Sequence, residues 1–219
     1  MILRAVLLAL VSVTFNAAPT IAARNTQPGR VVVVGDSIVG GSGTVQPIRR
    51  NSYPARLQTR LGQRVPIVKH PAGCLVAQGC LYGPTMLETY ASEVLPLAPS
   101  HVILSMGVND LCHVPDKQLR DAFRWVLHTN RAHGIRTTFA TITPQNANWQ
   151  WRCEAQRVRI NDWLLDRFPG RTADVASVLE TPRGNLRSRY DSGDGLHPNN
   201  RGADRIGAYL AKYLARRGQ

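Results

Sequence analysis

Apolar and polar positions alternate between two periods along this chain. Short runs that are apolar throughout are separated by longer segments whose apolar residues return every three or four positions. Residues 31–34 are four consecutive valines. A β-branched run with no polar face suits a strand buried on both sides, as in a parallel sheet covered by helices. Residues 65–68, 101–106, 136–142 and 173–178 read as four further strands, with Pro66 placing the second at an edge or at its own start. Between them the helical period predicts helices from Ser52 as cap through Leu61, and over 85–95, 117–131, 154–167 and 199–215. Strand and helix thus alternate five times. This is the pattern of an α/β fold, a three-layer α/β/α sandwich around a flavodoxin-like, doubly wound parallel sheet of about five strands.

The N-terminus stands apart from this pattern. Arg4 gives a positive start, residues 5–13 are apolar except for Ser12, and Ala17, Ala18, Ala22 and Ala23 follow. That order predicts a secretory signal peptide over residues 1–23, and its apolar run is too short to span a bilayer. Residues 24–219 are then expected to form a single domain, exported from the cell (into a periplasm where one exists). The four cysteines suit an oxidising compartment. The expected disulfides are Cys74–Cys80, closing a short loop, and Cys112–Cys153.

The formal charge of +13 changes the picture less than its size suggests. The arginines are scattered in sequence, no basic stripe is interleaved with aromatic residues, and no nucleic-acid-binding module is recognisable. The expectation is a solvated basic surface with weak attraction to anionic surfaces and no nucleic-acid partner. A monomer is the default expectation.

Candidate chemistry lies where the strands end. Ser37 follows the first strand, Gly73 the second and Asn109 the third, with thirty-six residues separating each from the next. Parallel strands repeat in direction, so one strand–helix–strand unit per interval brings all three to the same rim. Asp194 and His197 precede the last helix at that rim. A serine alcohol needs a base, and an imidazole oriented by a carboxylate is one. The backbone N–H groups of Ser37 and Gly73 with the side-chain amide of Asn109 are the donors that an oxyanion needs. His113, Trp149 and Trp151 are candidate substrate-lining residues on loops at this rim. No metal-ligand spacing occurs, and neither a metal nor a cofactor is expected.

These residues resemble the four marks of the SGNH hydrolases, the GDSL-type esterases and lipases: Gly35-Asp36-Ser37, Gly73, Gly107-Val108-Asn109-Asp110 and Asp194-Gly195-Leu196-His197, in that order. Ile38 stands where the literal motif has leucine. The glycine block begins His70-Pro71-Ala72 rather than with asparagine, which leaves Gly79 and Gly83 as fallbacks for Gly73. The resemblance implies Ser37 as nucleophile, His197 as general base and then acid, and Asp194 as its orienting carboxylate. Together with the predicted signal peptide, it points to a secreted serine esterase working through an acyl-enzyme, as a lipase, a short-chain esterase or a carbohydrate deacetylase. Its substrate would be a small-molecule, carbohydrate or lipid ester. The alternatives are an acyltransferase on the same fold, or a catalytically silent domain that binds glycan or cell wall.

Overall fold

The computed structural model describes residues 30–218, except 63, 70–72, 79–82 and 151. Five strands form one wholly parallel sheet: β1 Val31–Gly35, β2 Ile67–Lys69, β3 His101–Ser105, β4 Arg136–Ala140 and β5 Thr172–Ala173. Their order is β2-β1-β3-β4-β5. β1 lies inside the sheet, and all four of its valines are buried, as their unbroken apolarity requires. Each contributes about 1.5–3 kcal/mol relative to full exposure.

The helices are α1 Ile48–Asn51, α2 Tyr53–Leu61, α3 Met86–Glu93, α4 Asp116–Ala132, α5 Glu154–Arg167 and α6 Asn200–Ala215. The crossover from β1 to β2 runs one way across the sheet, and those from β2 through β5 run the other way. Parallel crossovers are right-handed, so α2 covers one face and α3, α4 and α5 the other. Side-chain contacts agree with this division. Tyr90 of α3 meets Trp125 of α4, and Phe123 of α4 meets Trp163 of α5. α6 returns to lie on α2. At Gly207 a Cβ would come within 2.7 Å of Arg56 Cβ and 3.0 Å of Leu57 N, so only glycine permits this approach.

Several boundaries differ from the sequence reading for local reasons. β2 is Ile67–Lys69, beginning two residues later and ending one residue later than expected; it is an edge strand, and Pro66 precedes it while the Pro66 carbonyl accepts from Val33 N at 3.0 Å. The fifth strand was expected over 173–178 and is Thr172–Ala173 alone. Beyond it Val175, Ala176 and Leu179 are buried by a turn, tied by Ala176 N to Thr141 Oγ1 at 2.9 Å, so apolar residues enter the core without strand pairing. Ser52 occupies the cap position of α2, with Pro54 in the first turn, but its hydroxyl makes no capping bond. α3 instead carries a full capping box, Thr85 with Glu88, worth about 1 kcal/mol. α1 was not anticipated. Residues 1–23, Cys80, Gly79 and Trp151 lie outside the described residues, so the expected signal peptide and Cys74–Cys80 bridge do too; Cys74 itself is disulfide-bonded. Cys112–Cys153 is formed as expected.

Candidate active site

Ser37 is the first residue but one beyond β1, on a chain of turns rather than at a sharp strand-to-helix elbow. Asp36 is buried and its Oδ1 accepts from Ile38 N at 2.9 Å, which orders the turn without placing the carboxylate beside a reactant. Gly40 N and Ser42 N bond back to the carbonyls of Asp36 and Ser37 at 3.0 and 2.9 Å. The loop then passes His197 so closely that a Cβ on Gly43 (φ 87°) would stand 2.7 Å from His197 Cβ. No L side chain fits there, in space or in conformation.

Ser37 Oγ lies 2.9 Å from His197 Nε2, and His197 Nδ1 lies 2.6 Å from Asp194 Oδ2. Asp194 Oδ1 also accepts from the backbone N–H groups of Leu196 and His197 at 2.9 and 2.8 Å. Partial burial favours the neutral acid here, but the bonds from the His197 backbone, the His197 ring and Leu196 outweigh it and hold the carboxyl at about 2. An ionised carboxylate only accepts, so Nδ1 carries the hydrogen and Nε2 presents its lone pair to the serine.

The loop that carries Asp194 and His197 has its own support. Its arms pair at Asp191 and Pro198, and Ser192 N donates to His197 O at 3.0 Å. Asp191 Oδ1 accepts from Gly193 N at 2.9 Å and Gly195 N at 3.0 Å. Its Oδ2 accepts from the side-chain amide of Asn146, whose own backbone N–H donates to Gly195 O at 2.7 Å. Asp191 and Asn146 were not singled out in the sequence. Their roles depend on a contact across forty-five residues, and the only local signal is the second aspartate three positions before Asp194.

The other predicted members gather at the same rim. Asn109 Nδ2 donates to Gly73 O at 2.8 Å, which joins the loops after β2 and β3. Gly73 has φ 70° and is buried, whereas the fallback Gly83 is exposed and a Cβ there would meet nothing within 4 Å. Asp110, wholly buried, accepts from Leu75 N, Val76 N and Ala77 N at 2.8, 2.7 and 2.8 Å. Burial nonetheless pushes its pKa up. Asp110 therefore braces the segment that follows Gly73. The disulfide from Cys112 to Cys153 ties the Asn109 loop to the start of α5, and Gln156 adds a second tie by accepting from Cys112 N at 2.6 Å and donating to Val114 O at 2.8 Å.

His113 is exposed on this loop. Trp149 is half-buried against the core, in a turn whose N–H of Trp149 bonds to Asn146 O at 3.1 Å, so it sits beside the Asp194 loop. Among the described residues no three His, Cys, Asp or Glu side chains group to hold a metal ion.

Comparison with known proteins gives a family and a set of similar folds. The GDSL-like Lipase/Acylhydrolase family matches residues 33–205. Among solved structures, a protein from Desulfitobacterium hafniense DCB-2 described as lipolytic and of the G-D-S-L family superposes with a TM-score of 0.70 at 19% identity, over 85% of this chain and 100% of that one. The lipase/acylhydrolase from Enterococcus faecalis gives 0.67 at 16%, over 86% and 96%. The acetyl xylan esterase AlAXEase gives 0.65 at 14%, over 84% and 99%. Likeness at these identities shows the shared fold. Among curated proteins no sequence match was found. With the family match spanning most of the chain, the protein belongs to the GDSL-like lipase/acylhydrolase family and is an ester-bond hydrolase.

Proposed function

We propose that the protein is an exported serine esterase that cleaves carboxylic esters in two acyl-transfer steps. The observation that carries this reading is the unbroken relay from Ser37 Oγ through His197 to Asp194, at 2.9 and 2.6 Å. In the first step His197 Nε2 takes the Ser37 proton while Oγ bonds to the ester carbonyl carbon. The carbonyl oxygen gains the negative charge, and the N–H groups of Ser37 and Gly73 with the Asn109 amide are assigned to stabilise it. The C–O bond to the leaving alcohol then breaks, and His197 returns the proton to that alcohol. In the second step water, deprotonated by His197, releases the acid and restores Ser37. Asp194 stays ionised throughout, steadying the imidazolium.

Export rests on the sequence of residues 1–23. The half-buried Trp149 beside the Asp194 loop supports a sugar or a short acyl group as the substrate part nearest the triad. The test is a series of p-nitrophenyl esters from acetate to palmitate beside an O-acetylated glycan. Short esters and the glycan are expected to turn over faster than palmitate. A preference for palmitate would overturn the short-acyl assignment.

A further inference from the structure

The cations are divided evenly between the two helical layers, but the acids are not, and this leaves one layer with unbalanced positive charge. The helices on the α2 side of the sheet, α1, α2 and α6, carry seven Lys and Arg residues against a single acid, Asp204. That acid is occupied by Arg60 at 2.7 Å. On the opposite side, α3, α4 and α5 carry seven cations and seven acids. Many of these are paired with one another, as in Lys117–Asp121 and Arg159–Asp116. One layer of the sandwich is therefore strongly basic and the other is neutral.

The basic layer starts at the catalytic rim. Asn200 Oδ1 accepts from Val45 N at 3.0 Å, fastening the approach to α1 onto the start of α6, three residues after His197. From there Arg201, Arg205 and Lys212 follow at spacings of four and seven, which places them along one stripe of α6, and all three are exposed. Arg50 and Arg60 are exposed on the neighbouring α1 and α2. At 1.5 Å per residue the sixteen residues of α6 make a track about 24 Å long leading away from the site. Of the exposed large apolar residues among those described, Trp125 and Val158 lie on the neutral side and Val45 in the segment before α1, so α2 and α6 themselves expose no large apolar side chain to insert into a bilayer.

We infer that this face docks an acidic polysaccharide and presents an O-acyl ester of the same polymer to Ser37. The inference rests on the esterase reading above. A carbohydrate chain is favoured over a nucleic acid because its hydroxyl groups carry the carboxylic esters that such a rim would cleave, while its carboxylates match the cations. The track then supplies affinity and the triad supplies chemistry.

The test uses fluorescence anisotropy with labelled polygalacturonate, with neutral dextran, phosphatidylglycerol vesicles and duplex DNA as competitors. Binding is expected at about 50 mM salt and should be abolished near 1 M, where the Debye length falls to about 3 Å. Arg205→Glu with Lys212→Glu should weaken it at least tenfold. Arg131→Glu with Arg167→Glu, the same charge change on exposed residues of the neutral side, should weaken it less than threefold. Hydrolysis of p-nitrophenyl acetate should be unchanged in both double variants, while deacetylation of O-acetylated polygalacturonate falls only in the first. Equal loss of binding in the two variants, no binding by the wild type, or displacement by vesicles or DNA better than by unlabelled polygalacturonate would overturn the inference. Binding by a wild type that fails to hydrolyse p-nitrophenyl acetate would instead remove the esterase reading and, with it, the presentation of the ester.

Discussion

The side-chain amide of Asn109 donates to the carbonyl of Gly73 at 2.8 Å, so two residues thirty-six positions apart form one physical unit across the loops that follow β2 and β3. Donors fixed before the reaction need no reorganisation when charge develops, and this is why they are worth more than water. Asn109→Ala is expected to lower kcat by roughly 10²–10³ with a much smaller change in KM. Steady-state kinetics on p-nitrophenyl acetate, with circular dichroism to confirm folding, check this. An unchanged kcat would remove Asn109 from the oxyanion site.

Asp191 holds the loop that carries the histidine, through Gly193, Gly195 and Asn146. Asp191→Ala leaves two backbone N–H groups and an amide without their acceptor, and a small displacement of the base is costly. A fall in kcat of roughly 10–100-fold is expected, with KM nearly constant. Asp191→Asn, which keeps an acceptor oxygen for the two glycine N–H groups, should recover part of the loss. Equal effects of both substitutions on kcat would argue against a positioning role.

The Asp194 carboxyl has a folded pKa of about 2 against an ordinary value of 3.8. A depressed carboxyl pKa means that the folded state favours the ionised form. Its contribution is complete above the ordinary value and is lost only as pH falls through about 2. Carbon-13 NMR titration of the aspartate carboxyls should therefore find Asp194 still ionised at pH 3, about one unit above that folded value. A midpoint near that of a free aspartate would contradict the hydrogen-bond network described.

Much of this was legible in the chain, and the remainder shows where sequence stops. The four valines of β1 declare a buried parallel strand because no polar residue interrupts them, and the equal intervals between Ser37, Gly73 and Asn109 follow from the repeat length of strand–helix units. The fifth strand misled because Val175 and Ala176 are buried by a turn, and burial alone does not distinguish a turn from a strand. Asp191 and Asn146 were invisible because their partnership is long-range. The basic face was hidden for the same reason, since Arg60 and Asp204 are neighbours across 144 residues.

The Cys112–Cys153 bridge spans a separation of forty-one residues and anchors the Asn109 loop to α5. Chain-entropy arguments give about 4 kcal/mol for a loop of this size. Cys112→Ala with Cys153→Ala should lower the stability measured by urea unfolding by about 2–4 kcal/mol. It should also reduce kcat more than a stability loss at a remote position would. Full retention of kcat would show that the loop holds its geometry through Gln156 alone.

The central claim is that Ser37 is the nucleophile of an acyl-enzyme. The most direct measurement is intact-mass spectrometry after reaction with a fluorophosphonate, on wild type and Ser37→Ala. The wild type should gain one phosphonyl adduct that maps to Ser37 and should lose esterase activity in step with labelling, while Ser37→Ala gains none. An adduct that persists in Ser37→Ala, or a wild type that neither labels nor hydrolyses any ester, would contradict it.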